Sequence, residues 1–107
     1  MRDAQSDFGT RLPNKITGDA EKSKAIGAVF LFKITGEGGG EWTIDCKENI
    51  GVRPGDEGHA DCTLEMTHDD WKTISENVGL AMQLYFTGKL KVSGNAMLAT
   101  KLQQILG

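Results

Sequence analysis

The sequence predicts an α+β fold in which a five-stranded sheet is covered on one face by helices. Strand-like runs that alternate apolar and polar residues come first and are joined by glycine-rich turns, and mainly helical sequence follows. The length of 107 residues suits one domain with one core, spanning 1–107. The predicted order is a helix, four strands, two short helices, a fifth strand and a last helix.

The first helix is predicted from three apolar residues spaced four apart, Phe8, Leu12 and Ile16, despite Pro13 within the same segment. The runs 28–34 (AVFLFKI) and 41–47 (EWTIDCK) are rich in aromatic and β-branched residues and predict two strands. Between them, TGEGGGE supplies four glycines, which are typical of a hairpin loop.

A weaker strand is predicted at 50–53, before the turn dipeptide Pro54-Gly55. The fourth, 60–66, alternates so that its inward residues are Cys62, Leu64 and Met66. Thr67 is then the predicted N-cap of a helix, because Asp69 and Asp70 suit the positive end of a helix dipole. One face of that helix carries Trp71, Ile74 and Val78.

Gly79 interrupts this helix, and LAMQLYFTG resumes helical spacing in a second short helix. A fifth strand follows at 89–92 (KLKV), with Leu90 and Val92 inward. Asn95 is the predicted cap of the last helix, whose apolar stripe recurs on a 3.6-residue period at Leu98, Leu102, Ile105 and Leu106.

Charge and hydropathy exclude several classes of protein. Nine lysines and three arginines are scattered among fifteen acidic residues, and the net charge is -3, so we expect no nucleic-acid partner. The longest apolar stretch, 25–32, is far shorter than the roughly 18 residues of a membrane span, and the polar start is no signal peptide. We therefore expect a cytoplasmic protein with at most transient membrane contact.

No motif for catalysis, cofactor or metal binding stands out. GEGGG has neither the spacing of a Walker loop nor that of a dinucleotide fingerprint. His59, Cys62, His68 and Asp69 lack the spacing of a zinc site, and two histidines without a nucleophile motif define no triad. We expect Cys46 and Cys62 to be buried free thiols. We expect a protein that is not an enzyme and uses no cofactor, and an enzyme whose site has no recognisable motif is a competing hypothesis.

The other candidate functional residues are apolar and lie before the fifth strand and at the start of the last helix. They fit either an ordinary core or the wall of a cavity. These residues are Trp71, Ile74, Met82, Leu84, Tyr85, Phe86 and Met97.

Three stretches, FLFKITGEGGGEWTIDCK, ADCTLEMTHDDW and FTGKLKVSGNAMLATKLQ, are similar to the sterol carrier protein type 2 family, specifically its short stand-alone microbial members. The likeness runs from about Phe8 to the C-terminus. It implies a mainly antiparallel five-stranded sheet, with a hydrophobic tunnel between the sheet and the helices. Its implied ligands are fatty acids, fatty acyl-CoA, sterols or phospholipids, held without chemistry.

Matched position by position, the resemblance implies that the tunnel is lined by Trp42, Tyr85, Phe86, Leu98, Leu102 and Gln103. Gln103 is the implied polar contact to the lipid. Together with Trp71, Ile74, Met82 and Met97 from the apolar cluster, these are the predicted lipid-binding residues. The alternative is an accessory domain with a filled core that supports a partner lipid-metabolising enzyme. The chain has no peroxisomal targeting tripeptide at residue 107, which fits the cytoplasmic prediction.

Overall fold

The computed structural model describes residues 7–18, 20–47, 50–56, 58 and 60–94. Its centre is a five-stranded sheet of order β3-β2-β1-β4-β5. The parallel pair is β1 with β4, and the other three neighbouring pairs are antiparallel, so the mainly antiparallel sheet is confirmed. The strands are β1 Val29–Thr35, β2 Gly40–Asp45, β3 Gly51–Pro54, β4 Cys62–Thr67 and β5 Lys91–Gly94.

The N-terminal helical region differs from the single predicted helix. A π-helical turn, Asp7–Arg11, leads into α1, Leu12–Gly18, and a separate helix α2 covers Ala20–Ile26. Pro13, in the first turn of α1, has no N–H to donate to a carbonyl one turn earlier, so regular α-helical bonding cannot run through it. The predicted apolar edge is nevertheless buried, with at most 2 % exposure at Phe8, Leu12 and Ile16.

The glycine-rich loop between β1 and β2 is a hairpin turn, as predicted. Gly36 and Gly38 adopt φ angles of 90° and 82°, which L side chains rarely adopt. The Gly39 N–H donates to the Gly36 carbonyl at 3.2 Å, and a Cβ on Gly39 would overlap the carbonyl of Ile34. The glycines therefore allow the chain to reverse within a short loop.

Helix α3, His68–Glu76, begins as predicted, because the Thr67 hydroxyl accepts the Asp70 N–H at 3.2 Å. The prediction that it continues through Val78 is wrong. Asn77 leaves the helical conformation at φ -145°, and its side-chain oxygen accepts the Gly79 N–H at 3.2 Å. A 3₁₀ turn, Val78–Leu80, takes the place of the last helical turn.

Helix α4, Ala81–Phe86, confirms the second short helix. The N–H groups of Lys89 and Leu90 both donate to the Leu84 carbonyl, at 2.9 and 3.0 Å, and fold the chain back against α4. Because these groups are used in the turn, β5 begins at Lys91, two residues later than predicted. The side chain of Leu90 is still buried, at 3 % exposure.

The hydrophobic core lies on one face of the sheet. Alternate residues of β1, Phe30, Phe32 and Ile34, join one buried cluster with side chains from α1 to α4. The described helices therefore share this face, as predicted. No helix in the described ranges is long and apolar enough to cross a membrane. The predicted last helix and its Asn95 cap lie outside the described residues.

Candidate functional site

An aromatic cluster occupies the space between the sheet and the helices. Phe8 stacks on Trp42 with ring centroids 4.6 Å apart and an interplanar angle of 4°. The Phe8 ring also lies 5.3 Å from Phe32 and 4.7 Å from Trp71. Phe8 thus joins strands β1 and β2 to helix α3. Its helical spacing marked it as a core residue, but no local pattern showed that it would contact the two tryptophans.

Three of the predicted lipid-binding residues lie in or against this buried cluster. Trp71 and Ile74, on one face of α3, are fully buried, and Trp42 is partly buried against the same core. Ile74 follows Trp71 by three residues, so both side chains project from the same side of the helix toward the sheet. The structure therefore brings these three residues together at the layer interface.

Helix α4 presents three other predicted residues to the surface. Ala81 is 5 % exposed, and Leu84 packs against the core, so these two residues form the inner side of the helix. On the outer side Met82 is 38 % exposed, Tyr85 40 % and Phe86 77 %. The i,i+3 spacing of Ala81 and Leu84 is a sequence signal for the inner side of the helix. The resemblance instead pointed to the paired aromatic residues, Tyr85 and Phe86, as lining.

Four predicted residues of the last helix lie outside the described part of the chain: Met97, Leu98, Leu102 and Gln103. Their role as lining therefore stays a prediction.

Both cysteines are fully buried free thiols, as predicted. They flank β1 on its core face: Cys62 is paired with Phe30, and the Cys46 N–H donates to the Ala28 carbonyl at 3.0 Å. Burial, with a smaller contribution from the neighbouring carboxylate of Asp45 or Asp61, raises the pKa of each thiol to about 11. Thiols held in the protonated form are poor nucleophiles.

These thiols should make the folded state less stable above pH 9. An unfolded thiol titrates near its ordinary pKa of 9.0, whereas the folded thiols keep their protons until about pH 11. Between these values only the unfolded state releases the protons, so the free energy of unfolding falls as pH rises. Urea unfolding from pH 8 to 11 should show a shallower fall for the Cys46→Ala, Cys62→Ala double variant. Equal slopes for the two proteins would contradict this expectation.

The residues considered for a metal site are not assembled among the described residues. Cys62 begins β4 and His68 follows its end, so six residues of extended chain place them about 20 Å apart. His68 instead contacts the hairpin loop, with Nδ1 2.9 Å from the Glu37 carbonyl oxygen. Within the described ranges no three His, Cys, Asp or Glu side chains are grouped to hold a metal ion.

A cavity of about 480 Å³ lies beside this histidine, between the β1–β2 loop and the start of α3. Its lining is polar and charged and includes Thr35, Glu37, Asp69 and Lys72. An acyl chain placed there would leave these groups without water, which costs free energy. This cavity is therefore not the apolar site that the resemblance implies.

The fold defines the class of protein: a mixed five-stranded sheet with helices on its apolar face and an aromatic interior between the two layers. The chain belongs to the SCP-2 sterol transfer family, whose profile matches residues 10–107. Human (Homo sapiens) "Sterol carrier protein 2" is 40 % identical to it over 86 residues, which are 77 % of this chain and 16 % of that protein. The chain spans a fifth or less of the curated relatives it matches.

Solved structures support the same assignment. The apo form of sterol carrier protein 2 from Yarrowia lipolytica superposes with a TM-score of 0.76 at 29 % identity, covering 89 % of this chain and 83 % of that one. An Aedes aegypti sterol carrier protein 2 in complex with palmitate has a TM-score of 0.66 at 23 % identity, with 94 % of each chain covered. The latter similarity shows the fold alone. The predicted family and fold are confirmed.

Proposed function

We propose that this domain binds the apolar part of a lipid between its sheet and its helices and transfers it without chemical change. The observation that carries the proposal is the family match over residues 10–107, on a fold that superposes on sterol carrier protein 2. The related Aedes protein, solved with palmitate, makes a fatty acid the first ligand to test. Acyl-CoA, sterols and phospholipids are further candidates, and the proposed site of action is the cytoplasm.

Burial of the chain supplies the binding energy. Each methylene transferred from water to an apolar site contributes about 0.8 kcal/mol, so an acyl chain of about sixteen carbons gains on the order of 10 kcal/mol before ordering costs. No covalent bond or metal is needed for tight binding. Ligand release then requires movement of the covering helices.

We place the wall of the site at the layer interface. Trp42, Trp71 and Ile74 contribute the side near the sheet, where all three pack around the core face. The last helix contributes the opposite side through four residues carried over from the sequence, Met97, Leu98, Leu102 and Gln103. The exposure of Met82, Tyr85 and Phe86 supports a position at the mouth of the site rather than in its wall.

Native mass spectrometry of the protein purified from its host tests the proposal. We expect a non-covalent adduct with the mass of a lipid, and stoichiometric uptake of palmitate after delipidation. A chain that is always found without lipid, and that also ignores added fatty acids and acyl-CoA, would reject lipid carriage. That result would favour the alternative, an accessory domain that supports a lipid-metabolising enzyme. Co-purification would then identify the enzyme.

A further inference from the structure

His68 connects helix α3 to the hairpin loop between β1 and β2. Its Nδ1 lies 2.9 Å from the Glu37 carbonyl oxygen, and because a carbonyl oxygen can only accept, the Nδ1–H donates. His68 is the first residue of α3, whereas Glu37 belongs to the loop that joins two strands of the sheet. This hydrogen bond therefore ties a covering helix to the sheet layer.

The imidazole ring of His68 also packs on Gly38, the next residue of the same loop. A Cβ on Gly38 would lie 2.8 Å from Cε1 and 2.9 Å from Nδ1 of the ring, much closer than non-bonded atoms normally approach. The absence of a side chain at Gly38 thus makes room for the ring. We call the hydrogen bond and this ring packing together the His68 contact.

The His68 contact lies at the point where α3 leaves the sheet. Strand β4 ends at Thr67 and α3 begins at His68, with no loop between them. A change in the angle between α3 and the sheet therefore turns His68 away from Glu37 and Gly38. The polar cavity of about 480 Å³ separates the hairpin loop from the first turn of α3 beside this contact, so the two elements are not tightly packed on that side.

We infer that His68 is a positioning residue that fixes α3 over the sheet and thereby sets the rate at which lipid enters and leaves. The inference rests on the proposed function, in which Trp71 and Ile74 of α3 belong to the wall of the lipid site. Trp71 follows His68 within one turn of the helix, so a movement of α3 that breaks the His68 contact also displaces the Trp71 ring.

The His68 contact should act on rates rather than on affinity. None of its atoms belongs to the proposed wall, so the closed protein keeps the contact with lipid and without it. Loss of the contact favours the open state equally in both cases. Lipid association and dissociation should then both become faster, and the Kd should change little.

Stopped-flow release of the fluorescent fatty acid cis-parinaric acid into excess palmitate tests the inference. His68→Leu removes the donor and keeps a side chain of comparable reach. We expect its dissociation rate constant to rise about three- to tenfold, the factor that corresponds to one hydrogen bond, with the Kd within about twofold of wild type. His68→Asn places an amide N–H where Nδ1 stands and should restore the wild-type rate within about twofold.

The hairpin loop offers a matched pair of variants. Gly38→Ala displaces the His68 ring and should accelerate release about three- to tenfold. Gly36→Ala is the control, because its φ of 90° resembles the 82° of Gly38 but no atom lies within 4 Å of the added Cβ. Thr73→Val, which removes a hydroxyl hydrogen bond to the Asp69 carbonyl inside α3, controls for lost helix stability. Gly38→Ala combined with His68→Leu should release lipid no faster than either alone, because both break one contact.

Four results would overturn the inference: an unchanged rate for His68→Leu, no rescue by His68→Asn, equal acceleration by Gly36→Ala and Gly38→Ala, or a Kd that rises as much as the rate. Amide hydrogen exchange of the lipid-free protein separates this test from the proposed function. The α3 amides of His68→Leu should exchange about threefold or more faster than those of wild type. A wild type that binds no fatty acid would reject the proposed function, and unchanged α3 exchange would reject the positioning role of His68.

Discussion

Replacing Trp71 by alanine should lower the free energy of unfolding by roughly 3 to 5 kcal/mol. Trp71 is fully buried, and its ring centroid lies 4.7 Å from that of Phe8 and 5.8 Å from that of Phe32. Its removal leaves a cavity at the junction of α3, β1 and the N-terminal helical turn, and the neighbouring rings can collapse into it only in part. Urea denaturation monitored by far-ultraviolet circular dichroism measures the loss.

Two controls show whether the loss comes from burial. Trp71→Phe keeps an aromatic ring and should cost clearly less than alanine. Phe86→Ala removes a ring that is 77 % exposed and should change stability by no more than about 0.5 kcal/mol. A cost below about 1 kcal/mol for Trp71→Ala would contradict a tightly packed interface at this tryptophan.

Replacing Leu102 by aspartate should abolish fatty-acid binding. The resemblance predicts that this residue lies beside the ligand, and Leu102 belongs to the apolar stripe of the predicted last helix. An unpaired carboxylate against an acyl chain would have to remain charged in an apolar site or take up a proton, and either change opposes binding. Displacement of a fluorescent fatty acid, on variants shown to be folded by thermal melts, measures the effect.

Leu102→Ala and Thr100→Asp are the two comparison variants for this experiment. At a packed core site Leu→Ala costs roughly 2 to 5 kcal/mol, whereas beside an existing cavity the cost should fall toward the lower end. We then expect the preferred acyl chain to become longer or branched. On a 3.6-residue period Thr100 falls on the side of the predicted helix opposite the leucine stripe, so it should tolerate aspartate with little loss of binding. Folded Leu102→Asp that binds acyl chains as well as wild type would show that this helix does not line the site.

Local sequence patterns were sufficient where neighbouring residues decide the conformation. The glycines of TGEGGGE predicted the β1–β2 hairpin, and Thr67 predicted the start of α3, because positive φ angles and N-caps depend on a few adjacent residues. The aromatic and β-branched residues of 28–34 likewise predicted strand β1. Where a local competitor intervened, as at Asn77 or at Lys89 with Leu90, the element boundary shifted by one or two residues.

Side-chain direction on α4 could not be obtained in this way. LAMQLYFTG contains apolar residues all round, so periodicity alone cannot separate the inner Ala81 and Leu84 from the outer Met82 and Phe86. The family resemblance predicted the paired aromatic residues, Tyr85 and Phe86, as lining because they form a recognisable motif. Packing against the core placed Ala81 and Leu84 on the inner side of α4, and this packing involves residues distant in the chain.

Residue types and short spacings were enough to predict the α+β class, the five strands, the Thr67 cap, the buried thiols and, through three motifs, the sterol carrier family. Three features could be seen only in the folded chain: β1 pairs in parallel with β4, Phe8 lies against Trp42 and Trp71, and Phe86 faces solvent. Each of these features depends on how segments that are distant in the chain pack against one apolar surface. Local residue preferences do not predict such packing.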